Sequence, residues 1–197
     1  MKKISMILCL IISLILITSC ACYKQKSMPP KQPMPEAPKF VSPQPVIVSM
    51  DAITFVGMEK RFTFNTIAEI PMLWMDFMPL EEAIQNKVKP IEAWGVSYDM
   101  DYSVQPGEFT YFVGMEVSNT DNIPTGMIAH VTPASKYAKF THYGSLDNLS
   151  GTYTYIYNVW LPQSGYDMGM GNELELYNEK FNPEGEDSEI FIFIPLQ

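Results

Sequence analysis

The 197-residue sequence predicts an α+β fold made of two strand–helix–strand–strand modules in pseudo-twofold arrangement. Three observations carry that expectation. Segments of period-two and period-3.6 hydrophobicity alternate in the same order twice after residue 59. Proline and glycine punctuate the helical segments near their expected ends. The only cysteines are Cys9, Cys20 and Cys22, so the chain beyond them must be held by its core, for which a 47% hydrophobic and 13% aromatic composition is ample. Two like halves place a crevice on the axis between them.

The elements follow in order. Glu59–Thr66 reads as a strand, with Phe62 and Phe64 alternating against Thr63 and Asn65. Ile70–Ile84 reads as a helix, because Leu73, Phe77, Leu80 and Ile84 recur at three- and four-residue steps. Pro71 suits its first turn, whereas Pro79 should kink or split it. Ile91–Asp99 and Phe109–Ser118 are strands joined by a polar loop ending in Pro106-Gly107. The order then repeats: strand Tyr137–Tyr143, preceded by the short segment Met127–Val131, and an aromatic helix Asn148–Leu161 stopped by Pro162 and Gly165. Glu173–Phe181 and Glu189–Pro195 close the chain as strands around Asn182-Pro183-Glu184-Gly185. In each half the last two strands form a hairpin. Met168-Gly169-Met170-Gly171 reads as a flexible loop beside the crevice.

The N-terminal segment has a different chemistry. Lys2 and Lys3 precede an apolar run from Ile4 to Ile17 broken only by Ser5 and Ser13. That run is short of the roughly 20 residues a spanning helix needs and suits a signal-peptide core. The residues Ile17-Thr18-Ser19-Cys20 resemble the lipobox of bacterial lipoproteins, which makes residues 1–19 a signal peptide and Cys20 the lipidated residue. Acylation of Cys22 would leave a cysteine among the small residues before the cut, a poorer fit. An uncleaved N-terminal anchor is the other alternative, and it too places the rest of the chain outside the cytoplasm. Residues 20–45 carry Pro29, Pro30, Pro33, Pro35, Pro38, Pro43 and Pro45 and read as an extended tether. Residues 46–197 are then one domain.

Charge and motif content exclude several functions. The net charge is −9, and no basic patch offers itself to nucleic acid. His130 and His142 are not at metal-ligand spacing, so neither a metal nor a cofactor is expected. The domain has no thiol nucleophile, no Gly-x-Ser-x-Gly elbow and no phosphate-binding glycine loop. The expected partners are a small-molecule ligand and, through the anchor, a membrane; the sequence identifies no protein partner.

From Gly114 onward the run GMEVSNTDNIPTGMIAHVTPASKYAKFTHYGSLDNLSGTYTYIYNVWLPQSGY, followed by ELELYNEKF and EIFIFIPL, resembles the GyrI-like small-molecule-binding superfamily. That is the effector-binding domain of AraC- and MerR-type multidrug regulators. Ile70-Pro71-Met72-Leu73-Trp74 and Ala93-Trp94-Gly95-Val96 resemble its stand-alone, integron-associated branch. The resemblance covers nearly all of residues 50–197 and implies an antiparallel sheet with two main helices around a central pocket for aromatic or cationic compounds. It also implies a ligand-binding glutamate on the penultimate strand, two positions before a tyrosine, which Glu175 and Tyr177 match.

On that strand Glu173, Glu175, Tyr177 and Glu179 share one face, and Leu174 and Leu176 the other. A carboxylate among aromatic rings returns to a lipophilic cation the attraction that water would screen, and each ring face adds roughly 0.5–2 kcal/mol. The expected ligand-binding walls are Trp94 and Tyr98 on one strand, Phe109 and Tyr111 on the next, and Tyr153, Tyr157 and Trp160 on one face of the second helix. Any of these rings, like Trp74, also fits an ordinary core. Glu116 is a secondary candidate.

The function so implied is capture of hydrophobic, aromatic, cationic small molecules by an extracytoplasmic lipoprotein. A segment read as leader and tether leaves no helix-turn-helix before the domain, so direct regulation of transcription is not expected. Two alternatives stand beside capture. One is hydrolysis of electrophilic, cyclopropane-type compounds with Glu175 as general base, which a branch of the superfamily performs. The other is a structural lipoprotein with a protein partner in the crevice.

Overall fold

The computed structural model describes residues 43–183 and 185–197. The leader, Cys20 and nearly all of the tether lie outside the described residues. The described chain forms one eight-stranded antiparallel sheet: β1 (Val46–Met50), β2 (Ile53–Thr63), β3 (Ala93–Asp101), β4 (Glu108–Glu116), β5 (Ile128–Thr132), β6 (Ser135–Tyr143), β7 (Glu173–Tyr177) and β8 (Glu189–Leu196). Their spatial order is β1-β6-β8-β7-β3-β4-β2-β5. Read from the middle outward, β3 answers β7, β4 answers β8, β2 answers β6 and β5 answers β1. The expected modules, β2-α1-β3-β4 and β6-α2-β7-β8, therefore meet along the β3–β7 ladder, where Gly95 and Glu175 are the middle rung.

Each module also gives a strand to the other. β1 precedes the first module but pairs with β6 of the second, and β5 precedes the second but pairs with β2 of the first. Met50 faces Ser135 and Ile53 faces Thr132, so one register runs through both pairings. The two pairings are one long ribbon interrupted at Asp51-Ala52 and at Pro133-Ala134. In a flat sheet those two rungs would stand roughly 29 Å apart, at about 4.8 Å per strand. A two-residue link spans far less, so the sheet curls.

The curl gives the sheet two dissimilar faces. The inner face buries Phe55, Trp94, Val96, Phe112, Tyr137, Leu174 and Phe193 among strands alone. The other face carries the helices. α1 (Ile70–Phe77) packs Leu73 and Phe77 against Val56, Phe62, Phe109 and Val113. α2 (Leu149–Tyr155) continues through a π-helical turn at Ile156–Trp160 into α3 (Leu161–Ser164), and seats Ile156 against Phe140, Ile190, Ile192 and Ile194. Among the described residues, the three cores and the strand pairings give residues 43–197 a packed interior of their own.

Pro79 splits the first helix as expected: α1 ends at Phe77 and a 3-10 helix takes over from Met78 to Ala83. Pro162 does not end the second helical run but occupies the first turn of α3, where its missing N–H is tolerated, and Gly165 stops the run in the left-handed region (φ 76). The Met168–Gly171 segment is tied down rather than free. Gly169 N–H donates to Pro195 O at 2.8 Å, and a Cβ on Gly169 would meet Leu196 O at 2.8 Å.

Gly57 and Gly114 face each other across β2 and β4, with the Phe112 ring lying over both. A Cβ on Gly114 would stand 2.5 Å from Phe112 Cε1 and 2.5 Å from Val56 O. Gly114→Ala should therefore destabilise the domain by about 2 kcal/mol, in the range of core overpacking, read as a lowered midpoint in urea with unchanged m. An unchanged midpoint would show that the ring can step aside.

Candidate functional site

The helix-bearing face at the β3–β7 seam holds a carboxylate inside a ring of phenols. Alternation along β7 points Glu173, Glu175 and Tyr177 to this face while Leu174 and Leu176 enter the inner core. Tyr153 Oη, from α2, donates to Glu175 Oε1 at 2.7 Å. Tyr111 Oη, from β4, donates to Oε2 at 2.8 Å, and Tyr177 Oη donates to the same oxygen at 2.9 Å. Trp74 Nε1, from α1, donates to Tyr111 Oη at 3.2 Å, and its indole meets the Tyr177 ring edge-on at 4.8 Å. Both helices and both modules thus converge on one side chain.

Gly95 makes the convergence feasible. A Cβ there would stand 2.1 Å from Tyr111 Oη and 3.0 Å from Glu175 Oε2, so only a glycine lets the phenol cross the middle rung to the carboxylate. Tyr111 and Tyr177 are buried, whereas Tyr153, Tyr157, Trp74, Glu173 and Glu175 are partly exposed, so solvent reaches this face of the seam. Burial, and then the charge of Glu175, holds the hydroxyls of Tyr111, Tyr153 and Tyr177 well above the usual phenol range, which keeps all three protonated as donors. Among the described residues no ion pair involves Glu173 or Glu175.

Glu173 is a second carboxylate in the crevice. Tyr157, which stacks on Tyr153 at 6.2 Å and 12°, brings its buried hydroxyl beside Glu173 without closing a hydrogen bond of ordinary geometry. Loss of water pushes the Glu173 carboxyl up to about 7, and the charge of Glu175 adds to the effect, against a partial offset from Tyr157. Strand alternation put Glu173 on the Glu175 face in the sequence, yet an exposed-looking glutamate at the start of a strand gave no sign that it would lose its water.

Of the expected site residues, the structure gathers Glu175, Tyr177, Tyr111, Tyr153 and Tyr157. It does not gather Trp94, Tyr98 or Trp160. Trp94 and Tyr98 alternate onto the inner face of β3. There Trp94 packs on Phe55 and Phe193 at 5.5 and 5.8 Å, and Tyr98 lies tilted against His130 at 4.2 Å and donates to Glu59. Trp160 closes the π-helical turn, whose wider repeat rotates it off the Tyr153–Tyr157 face; it packs on Phe140 and Tyr166 instead. Phe109 belongs to the α1 core, and Glu116 alternates away from the crevice. Trp74 fits an ordinary core by sequence, but here it supports the phenol ring. His142 is structural: its Nδ1 pairs with Thr152 Oγ1 at 2.7 Å and its Nε2 with Ser145 O at 3.2 Å. Among the described residues no cluster of metal-ligating side chains forms.

The Glu173 carboxyl holds its proton more tightly in the fold than an unfolded glutamate, whose value is about 4.3. Its burial therefore opposes folding progressively as pH rises from the unfolded value to about 7, and by a constant amount above that. Glu173→Gln should raise the thermal midpoint at pH 8 and leave it nearly unchanged at pH 4. An equal change at both pH values would show that Glu173 keeps its water.

A family model described as the GyrI-like small molecule binding domain matches residues 43–197. The transcriptional regulator BrlR of Pseudomonas aeruginosa is 34% identical over 152 residues, which are 76% of this chain and 54% of that protein. The chain thus spans about half the length of that curated relative. Among solved structures, SAV2435 bound to tetraphenylphosphonium superposes with a TM-score of 0.64 at 14% identity, over 78% of this chain and 94% of that one. The integron cassette protein VCH_CASS2 from the mobile metagenome of Vibrio cholerae superposes with a TM-score of 0.58 at 14% identity, over 78% and 96%. At those identities the superpositions speak for the fold alone. With a family match over residues 43–197, a curated relative above 30% identity and the paired modules of the sheet, the chain belongs to the GyrI-like small-molecule-binding domain family.

Proposed function

We propose that the crevice binds lipophilic aromatic cations, that Glu175 reads their charge, and that the domain does so outside the cytoplasm on a lipid attached to Cys20. The observation that carries the binding reading is a partly buried carboxylate held by phenols and, among the described residues, in no ion pair. Three phenol hydroxyls satisfy Glu175 while leaving its charge unneutralised. A cation entering this crevice trades its hydration for a fixed opposite charge and for ring faces, in a medium that screens both less than water does. Tetraphenylphosphonium in SAV2435 supports the same ligand class on the same fold.

Capture is favoured over hydrolysis by the same bonds. A general base must hold a water, and three of the roughly four acceptor positions of the Glu175 carboxylate are already taken by protein hydroxyls. The location rests on the lipobox-like Ile17-Thr18-Ser19-Cys20 after an apolar run. With the domain outside, binding serves sequestration or presentation of the ligand at the cell surface.

Trp74 is hydrogen-bonded into the phenol ring, so its fluorescence reports the site. Residues 43–197 should bind tetraphenylphosphonium in the micromolar range, about 8 kcal/mol. Glu175→Gln should weaken binding by about thirtyfold, or about 2 kcal/mol, while retaining the fold. Equal affinity in the variant would remove Glu175 from charge recognition, and no binding at all would overturn the ligand class. The location is checked separately: radiolabelled palmitate should label the full chain and fail to label Cys20→Ala. An unlabelled wild type would contradict the anchor.

A further inference from the structure

We propose that Glu173 turns the crevice into a two-carboxylate site that selects ligands carrying two positive centres on one flat aromatic frame. The inference rests on the cation-binding reading above and adds the ligand class that this chain prefers. Glu173 and Glu175 project from the same face of β7, separated by Leu174, whose side chain enters the inner core. Residues two apart on a strand stand about 7 Å apart, which matches the spacing of the two nitrogens in a planar bipyridinium dication.

The two carboxylates are not equivalent. Glu175 has its oxygens occupied by Tyr111, Tyr153 and Tyr177, so it offers charge more than open acceptor positions. Glu173 is partly exposed and closes no hydrogen bond of ordinary geometry, its surroundings raise its carboxyl, and the neighbouring Tyr157 hydroxyl is buried without a partner. No lysine or arginine among the described residues compensates either group. A lone cation at Glu175 leaves the second carboxylate and the buried Tyr157 hydroxyl unanswered. A second positive centre answers it, and the parallel stack of Tyr153 and Tyr157 offers a flat wall alongside both carboxylates.

Glu173 carries its proton for much of the time near neutrality and yields it when a cation arrives. At pH 8, above its value of about 7, Glu173 is ionised in the free protein.

The test uses residues 43–197 at pH 8 in physiological salt, with methyl viologen as the dication and N-methyl-phenylpyridinium as a monocation of nearly the same shape. Wild type should bind the dication at least tenfold more tightly. Glu173→Gln should bring the two affinities within about twofold of each other, with the monocation affinity changed by no more than about threefold. Glu175→Gln should weaken both ligands. A wild-type ratio near one, or a ratio that survives Glu173→Gln, would overturn the second-carboxylate proposal while monocation binding still upheld the broader reading. Failure of wild type to bind either ligand would overturn both.

Discussion

A carboxylate withdrawn from water needs hydrogen bonds or a counter-charge, and at Glu175 the fold supplies the first and withholds the second. The three hydroxyls that satisfy it come from β4, α2 and β7, so no single module can build the site. The β3–β7 ladder brings them together, and its middle rung sets a glycine opposite the glutamate. The missing side chain at Gly95 is what the tyrosine from the neighbouring strand crosses. Charge is stored at the one place where both halves of the molecule must already be folded and paired.

The exchanged strands bear on the same seam. Because β1 and β5 each extend the other module's half of the sheet, the two modules cannot separate without unzipping a continuous ribbon. That ribbon also forces the curl that buries Trp94, Tyr137 and Phe193 behind the site. The polar crevice is therefore floored by strands whose opposite side is fully packed. Such backing limits how far Glu173 and Glu175 can retreat into water, and a desolvated anion depends on that restraint.

Much of this was legible in the sequence. Alternation in ELELY placed Glu175 and Tyr177 together and Leu174 and Leu176 behind them, and Pro79 announced the break after α1. What escaped it has physical reasons. β1 opens on the strand formers Val46, Ile47 and Val48, but it is only five residues long, follows directly on the proline-rich tether and shows no alternation. Trp94 and Tyr98 read as pocket walls because aromatic residues near a proposed site look alike from either face. Their parity relative to Glu175 depends on the β3–β7 register, which no local pattern encodes. Trp160 shares a face with Tyr153 and Tyr157 only if the helix keeps 3.6 residues per turn, and the π-helical turn breaks that premise. The role of Glu173 depends on lost hydration, a tertiary quantity.

The central claim is that an uncompensated carboxylate in a phenol ring recognises ligand charge rather than ligand shape. Tetraphenylphosphonium and tetraphenylborate share size and shape and differ in the sign of their charge, so their relative affinity for residues 43–197 isolates that claim. The cation should bind at least a hundredfold more tightly at pH 8. Comparable affinities for the two ions would mean that the crevice sorts ligands by apolar fit alone, and would contradict it.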